Sequence, residues 1–224
     1  MLLQPLFTNP GEALDFLTWA KPELLKADAD ADKVLAGRAD AFNRFGPIFV
    51  EGGDDLTEEV FKEFLAFEKA CNWTGINRQQ RAILGNFEAA KKAIRVLMLK
   101  PEYNDNIAER FDQAEKAAKG FGSSSITPIL FVAYPDYYGV WNARAEFALN
   151  RLGLGIVEDK GDSQGRKYEK INGVMLHAKN SLNKNLKHGD HAVDLWTIDY
   201  IWHAIKLMSD DGRLSEMVVR FQTR

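Results

Sequence analysis

Three side chains in the second half of the sequence have the type and spacing to act on a bond: Asn142, Asp199 and Asp136. Asp199 lies in DLWTIDYIWHAI, an aromatic helical pattern in which an unpaired acid is costly unless it has a task. It stands four residues before His203, so both fall on one helical face, as a salt bridge, an acid–base pair or part of a metal site. Asp136 precedes Asn142 by six residues on a proline turn. An amide at 142 cannot take a proton or carry charge. It can orient a water, bind a substrate or cap the helix ARAEFALNRLG. Glu146 and Asp194 are further acids, and Asp194 also reads as a cap ahead of Leu195. The histidines are His177, His188, His191 and His203; HGDH at 188–191 lacks the further ligands a metal needs, so neither metal nor cofactor is expected.

Upstream, GFGSSSITPILFVAYPDYYGVWN spans residues 120–142. Gly120 and Gly122 permit a tight turn and let backbone N–H groups approach a ligand. Ser124 belongs to the hydroxyl run that opens the next helix, and a helix N-terminus with free donors is an anion site. Tyr138 and Trp141 stand on the turn beside Tyr134 and Tyr137, as stacking surfaces or as core. A second cluster, NWTGINRQQR, combines Trp73 for stacking with Thr74, Asn77 and Gln79 for base edges and Arg78 for phosphate. That combination suits the reading of an extruded base.

Helices must position these groups. Apolar residues recur at helical spacing in PGEALDFLTWA, in DLTEEVFKEFLAFEKAC, in RAILGNFEAAKKAIRVLMLK and in NDNIAERFDQAEKAAKG, which stops at Gly120. PELLKADADADKVLAGRADAFNRF reads as one helix starting at Pro22. INGVMLHAKNSLNKNL and DLWTIDYIWHAIKLM are two more. Ile48, Phe49 and Val50 read as a short strand or a buried extended segment. The fold class is mainly α, with at most a minor strand pair.

Length and composition fit this. The chain has 224 residues, 46% hydrophobic and 27% charged, enough for one sizeable core. No apolar run reaches the roughly 18 residues of a membrane span, and no signal peptide is evident, so no membrane partner and a cytoplasmic location are expected. A lone cysteine, Cys71, fits a reducing compartment. Net charge is −3, but it is uneven: residues 1–75 carry 7 basic against 14 acidic side chains, residues 76–224 carry 22 against 18. The segment 160–187, which includes Lys167, holds seven basic side chains against Asp162 and Glu169 and could neutralise phosphates.

The interval of 20 residues from Gly122 to Asn142, across one apolar helix and a proline turn, resembles the helix-hairpin-helix DNA glycosylases. In that family a glycine hairpin grips the phosphate backbone and an Asp at this distance acts at the sugar of a flipped base. The resemblance implies a helix-hairpin-helix bundle. It sets Asn142 where the family has its Asp, and Ser124 where bifunctional members carry a nucleophilic Lys. A second resemblance covers 56–205, carried by FLAFEKACNWTGINRQ, ITPILFVAYPDYYGVWN, ALNRLGL and DLWTIDYIWHAI. It is to a module of bacterial defence proteins fused to McrB-like restriction NTPases or to nucleases. Together the two imply one helical domain over 1–224, with 1–55 an N-terminal helical extension. They imply double-stranded phage DNA with modified bases as partner, for example a glycosylated or hydroxymethylated pyrimidine. The activity implied is hydrolysis of the N-glycosidic bond to leave an abasic site, or reading of the base without cutting.

Overall fold

A computed structural model of the protein describes residues 4–28, 31–65, 80–98, 106–184 and 192–224, and of residues 31–39 the backbone alone. Among these the regular structure is helical throughout, as expected of a mainly α chain. The bounded helices, in chain order, are α1 Pro10–Leu24, α2 Ala31–Val50, α3 Glu58–Leu65, α4 Phe87–Leu97, α5 Ile107–Ala117, α6 Ser123–Ala133, α7 Ala143–Leu152, α8 Gln164–Asn183, α9 Leu195–Asp210 and α10 Arg213–Gln222. No described helix is long and apolar enough to cross a membrane.

Local chemistry sets many of the starts. Asn9, Asn86, Asn106, Asn142, Ser163 and Asp194 each accept a first-turn backbone N–H, which satisfies donors the helix itself leaves free. The cap at Asn86 splits RAILGNFEAAKKAIRVLMLK, whose pattern reads as a single helix, into a turn of helix at 80–84 and α4.

Two other expectations are corrected. Pro22 does not begin a helix; it lies inside α1, the chain turns at 25–28, and α2 starts at Ala31. Residues 48–50 are not extended but form the last turn of α2. Phe45 and Phe49, one turn apart and both fully buried, share the face that meets Phe64 at ring distances of 5.2 and 4.8 Å. Packing of that face overrides the poor helix propensity of Gly46 and Pro47. Gly46 also has a tertiary use: a Cβ there would lie 2.9 Å from the Val132 carbonyl oxygen, so α2 can approach α6 only without one.

One cluster of buried apolar side chains runs from Phe7 to Phe221 and takes in every bounded helix. Helix α6 is its axis, buried at each residue from Ser125 to Ala133. Around it, α2 packs on α6, α4 and α8 pack on α5, α7 packs on α9, and α1 lies against α8, α9 and α10. The N-terminal helices therefore share the core of the rest.

Candidate functional site

The hairpin joins α5 to α6. Gly120 has φ +91°, a left-handed conformation that favours glycine, and a Cβ there would come within 3.1 Å of Ala82 Cβ and Ile83 Cγ1. Phe121 is buried and anchors the turn. Gly122 is the N-cap of α6; its N–H donates to Ser125 Oγ at 3.1 Å, and its carbonyl accepts from the N–H groups of Ser125 and Ile126. Ser123 and the half-buried Ser124 then open a helix with no acid in its own first turn. One charge opposes an anion here. Glu115 Oε1 sits 3.9 Å from where a Gly122 Cβ would be. Burial, and secondarily the Asp112 carboxylate, push the Glu115 pKa above the usual glutamate value.

From the hairpin the chain runs down α6 and returns alongside it. Thr127 Oγ1 donates to Ser123 O at 2.7 Å and accepts from the Trp141 N–H at 3.0 Å, which pins the return to the first turn of α6. The turn between is held from α8. Asn172 accepts from the Gly139 N–H and donates to the Tyr137 carbonyl, both at 2.8 Å, and Tyr168 Oη donates to the Gly139 carbonyl at 2.9 Å. Complete burial holds the Tyr168 phenol far above its ordinary pKa, so it remains a donor. A Cβ on Gly139 would come within 2.4 Å of Met175 Sδ, so a larger residue there must push the Met175 side chain aside.

This return delivers Asn142 to the N-cap of α7. Its Oδ1 accepts from the N–H groups of Arg144 and Ala145, both at 2.9 Å, and its Nδ2 donates to Asp199 Oδ1 at 3.2 Å. Two residues singled out for chemistry, 57 apart in sequence, thus form one amide–carboxylate pair. The pair stands beside the first turn of the hairpin helix.

Other expected residues go elsewhere. Tyr138 and Trp141 are 4% and 7% exposed, so neither offers a face to a base. Tyr138 Oη accepts from the buried Arg110 at 2.9 Å; the Trp141 indole N–H donates to Glu146, and its ring stacks on Tyr168. Asp136 is exposed at the C-terminal end of α6, where its carbonyl accepts from Lys179. Asn142 lies back by Thr127, six residues away along α6, about 9 Å of helix, so the two do not share a turn. Lys167 pairs with Glu158, Arg166 with Glu169, and Lys170 with Asp159 and Asp162, which spends much of the basic segment internally. His203 Nε2 faces Asp28 at 3.3 Å rather than Asp199, and Lys206 pairs with Asp210. Trp73, Thr74, Asn77, Arg78 and Gln79 lie outside the described residues, as do Cys71, His188 and His191. Among the described residues no group of His, Cys, Asp and Glu could hold a metal ion.

The sequence reading missed Thr127 and Asn172, whose polar atoms face inward, and Arg110, which is 3% exposed and donates to the Leu97 carbonyl. One helical turn past Asn142, a crevice of about 160 Å³ opens between Trp141, Glu146, Asn150, Ile156 and Glu158. Comparison with protein-family models, with curated proteins and with solved structures finds no match to this chain.

Proposed function

We propose that the protein binds double-stranded DNA through its glycine hairpin and hydrolyses the N-glycosidic bond of an extruded, modified base, as a DNA glycosylase-like antiviral protein. The observation that carries this reading is the Asn142–Asp199 pair at the N-cap of α7, one residue past the Trp141–Thr127 bond that ties the chain to the hairpin helix. Departure of a base leaves positive charge on the sugar, which needs a nearby carboxylate and a positioned water. Asn142 lacks the charge, and Asp199, hydrogen-bonded to it, supplies one at the same place. Ser124, standing where bifunctional glycosylases carry a lysine, fits hydrolysis without strand cleavage. The phage origin of the DNA and the modification of the base rest on the sequence resemblances.

One observation favours a second reading, a reader of modified DNA that works with a separate nuclease. The Asn142 carbonyl is committed to two backbone N–H groups, which is the whole of what a helix cap asks of it. The test is abasic-site formation by purified protein on modified phage DNA and on the same sequence unmodified. The glycosylase reading expects base release only from modified DNA, lost in Asn142→Ala and in Asp199→Asn while DNA affinity persists. Tight binding with no release from any modified genome would establish the reader instead.

A further inference from the structure

We propose that the groove between α1 and α8 binds a free α-amino acid with a large apolar side chain, at a site that shares no residue with the Asn142–Asp199 pair and does not depend on the DNA reading. Two cavities join there. The first, about 430 Å³, is lined by Leu14 from α1, by Ile156 and Val157 from the strap 153–157 that follows α7, and by Gly173, Val174 and His177 from α8. Its size and mostly apolar lining are those of small-molecule sites. The second, about 300 Å³, continues past Leu14 and His177, which line both, and is more polar: Asp15 and Thr18 stand on α1, Ser181 and Lys184 on the α8 side.

The walls are fixed before any ligand arrives. The Leu154 N–H donates to the Leu149 carbonyl at 2.8 Å, and Lys170 Nζ donates to the Val157 carbonyl at 3.0 Å while pairing with Asp159 and Asp162. Both ends of the strap are thereby fastened, and a preformed cavity costs little ordering on binding.

Two observations point to the occupant. The first is Gly173. Glycine inside a helix is unfavourable, and the other glycine of α8, Gly165, has a packing reason: the Ala108 carbonyl oxygen leaves no room for a Cβ. Nothing lies within 4 Å of a Cβ on Gly173, so no contact within the protein calls for glycine there. Its effect is to keep the apolar section of the groove open. The second observation is charge. Asp15 and Lys184 line one cavity from different helices, yet neither has an ion pair or side-chain hydrogen bond among the described residues. An acid on one wall and a base on the other match a ligand that carries both charges. Its ammonium lies toward Asp15, its carboxylate toward Lys184 and the Ser181 hydroxyl, and its side chain beyond Leu14 in the apolar section.

The experiment titrates phenylalanine into the protein by calorimetry, beside phenethylamine, which lacks the carboxylate, and hydrocinnamate, which lacks the ammonium. Phenylalanine is expected to bind one to one and roughly tenfold more tightly than either analogue, since each analogue leaves one charge of the site unanswered. Asp15→Asn removes the advantage over hydrocinnamate, and Lys184→Gln removes the advantage over phenethylamine. Gly173→Leu fills the apolar section and abolishes binding of all three, with a melting temperature at or above that of wild type; should it fail to fold, Gly173→Ala, which adds a single methyl to open space, still weakens binding. Analogues that bind as tightly as phenylalanine overturn the two-charge assignment. Binding that survives Gly173→Leu unchanged lies elsewhere and overturns the site, as does the absence of binding by phenylalanine, leucine and tryptophan alike.

Discussion

Replacing Asn142 by Asp tests the amide–carboxylate pair directly. Asp caps a helix as well as Asn does, so the two N–H bonds to Arg144 and Ala145 survive. The bond to Asp199 turns into a contact between two carboxylates at 3.2 Å. At an effective dielectric of about 20, two unit charges at that distance repel by about 5 kcal/mol. The protein has a cheaper way out. Holding one carboxyl of ordinary pKa near 3.9 protonated at pH 7 costs about 4 kcal/mol, and the shared proton then restores a hydrogen bond. The expected loss at pH 7 is therefore about 2–4 kcal/mol, or roughly 4–15 °C in melting temperature for a chain of this size. The sign with pH is fixed as well. One carboxyl of the variant has a folded pKa raised above its unfolded value, so the deficit is absent below the unfolded value and grows as pH rises through the folded one. Urea or thermal unfolding of wild type, Asn142→Asp and Asn142→Ala at pH 7 and pH 4 measures it. The alanine variant loses a cap, about 1 kcal/mol, at both pH values. An Asp variant that matches wild type at pH 7 would refute the pairing and, with it, the placement of Asp199 in the site.

Other expectations follow from the packing and the hairpin. Gly165→Ala puts a Cβ 1.9 Å from the Ala108 carbonyl oxygen, a backbone atom that cannot swing away, and should cost about 3 kcal/mol or more; Gly173→Ala, on the same helix with nothing within 4 Å, should stabilise by about 0.5–1 kcal/mol. Asn172→Ala removes the bonds to the Gly139 N–H and the Tyr137 carbonyl and should lower stability by about 2–4 kcal/mol, seen as a lower urea midpoint. The raised pKa of Glu115 means that its contribution to stability is fully present in acid and is lost as pH rises through the folded value. Glu115→Gln should flatten that part of the stability curve and, by removing negative charge beside Gly122, tighten DNA binding at pH 7; weaker binding by the variant would show that the hairpin does not face phosphate.

What could be read from the sequence was what is decided locally. Asn142 is legible as a cap because a cap needs one residue and the helix after it. The helical spacing of Phe61, Phe64 and Leu65 is likewise its own evidence, and all three are buried on α3. The aromatic turn misled in its exposure. Its tyrosines and tryptophan suit a surface platform, and nothing near them in sequence reveals that Asn172 and Tyr168, some 30 residues on, draw the turn inward by three hydrogen bonds. Residues 48–50 misled for the converse reason: Gly46 and Pro47 signal a break, while the partners that keep the helix going, Phe61 and Phe64, lie beyond the next loop.

Asp199 shows most clearly why a site is harder to read than a fold. Sequence offered it His203 one turn away and Lys206 beyond, and helical periodicity alone would pair them. Both are taken by others, His203 by Asp28 from the turn after α1 and Lys206 by Asp210. Asp199 is instead turned to α7, because α7 packs along α9 and the return from α6 fixes where α7 begins. A single Asp at position 142 would cap the helix and carry the charge together. Here the cap is an uncharged amide and the charge belongs to a neighbouring helix, so the two tasks can be separated by mutation. On the glycosylase reading, catalysis follows the negative charge Asp199 brings and the position of α9, while the start of α7 stays as Asn142 sets it. That division is the reason Asp199→Asn and Asn142→Ala report on different things: the first on charge at the site, the second on its geometry.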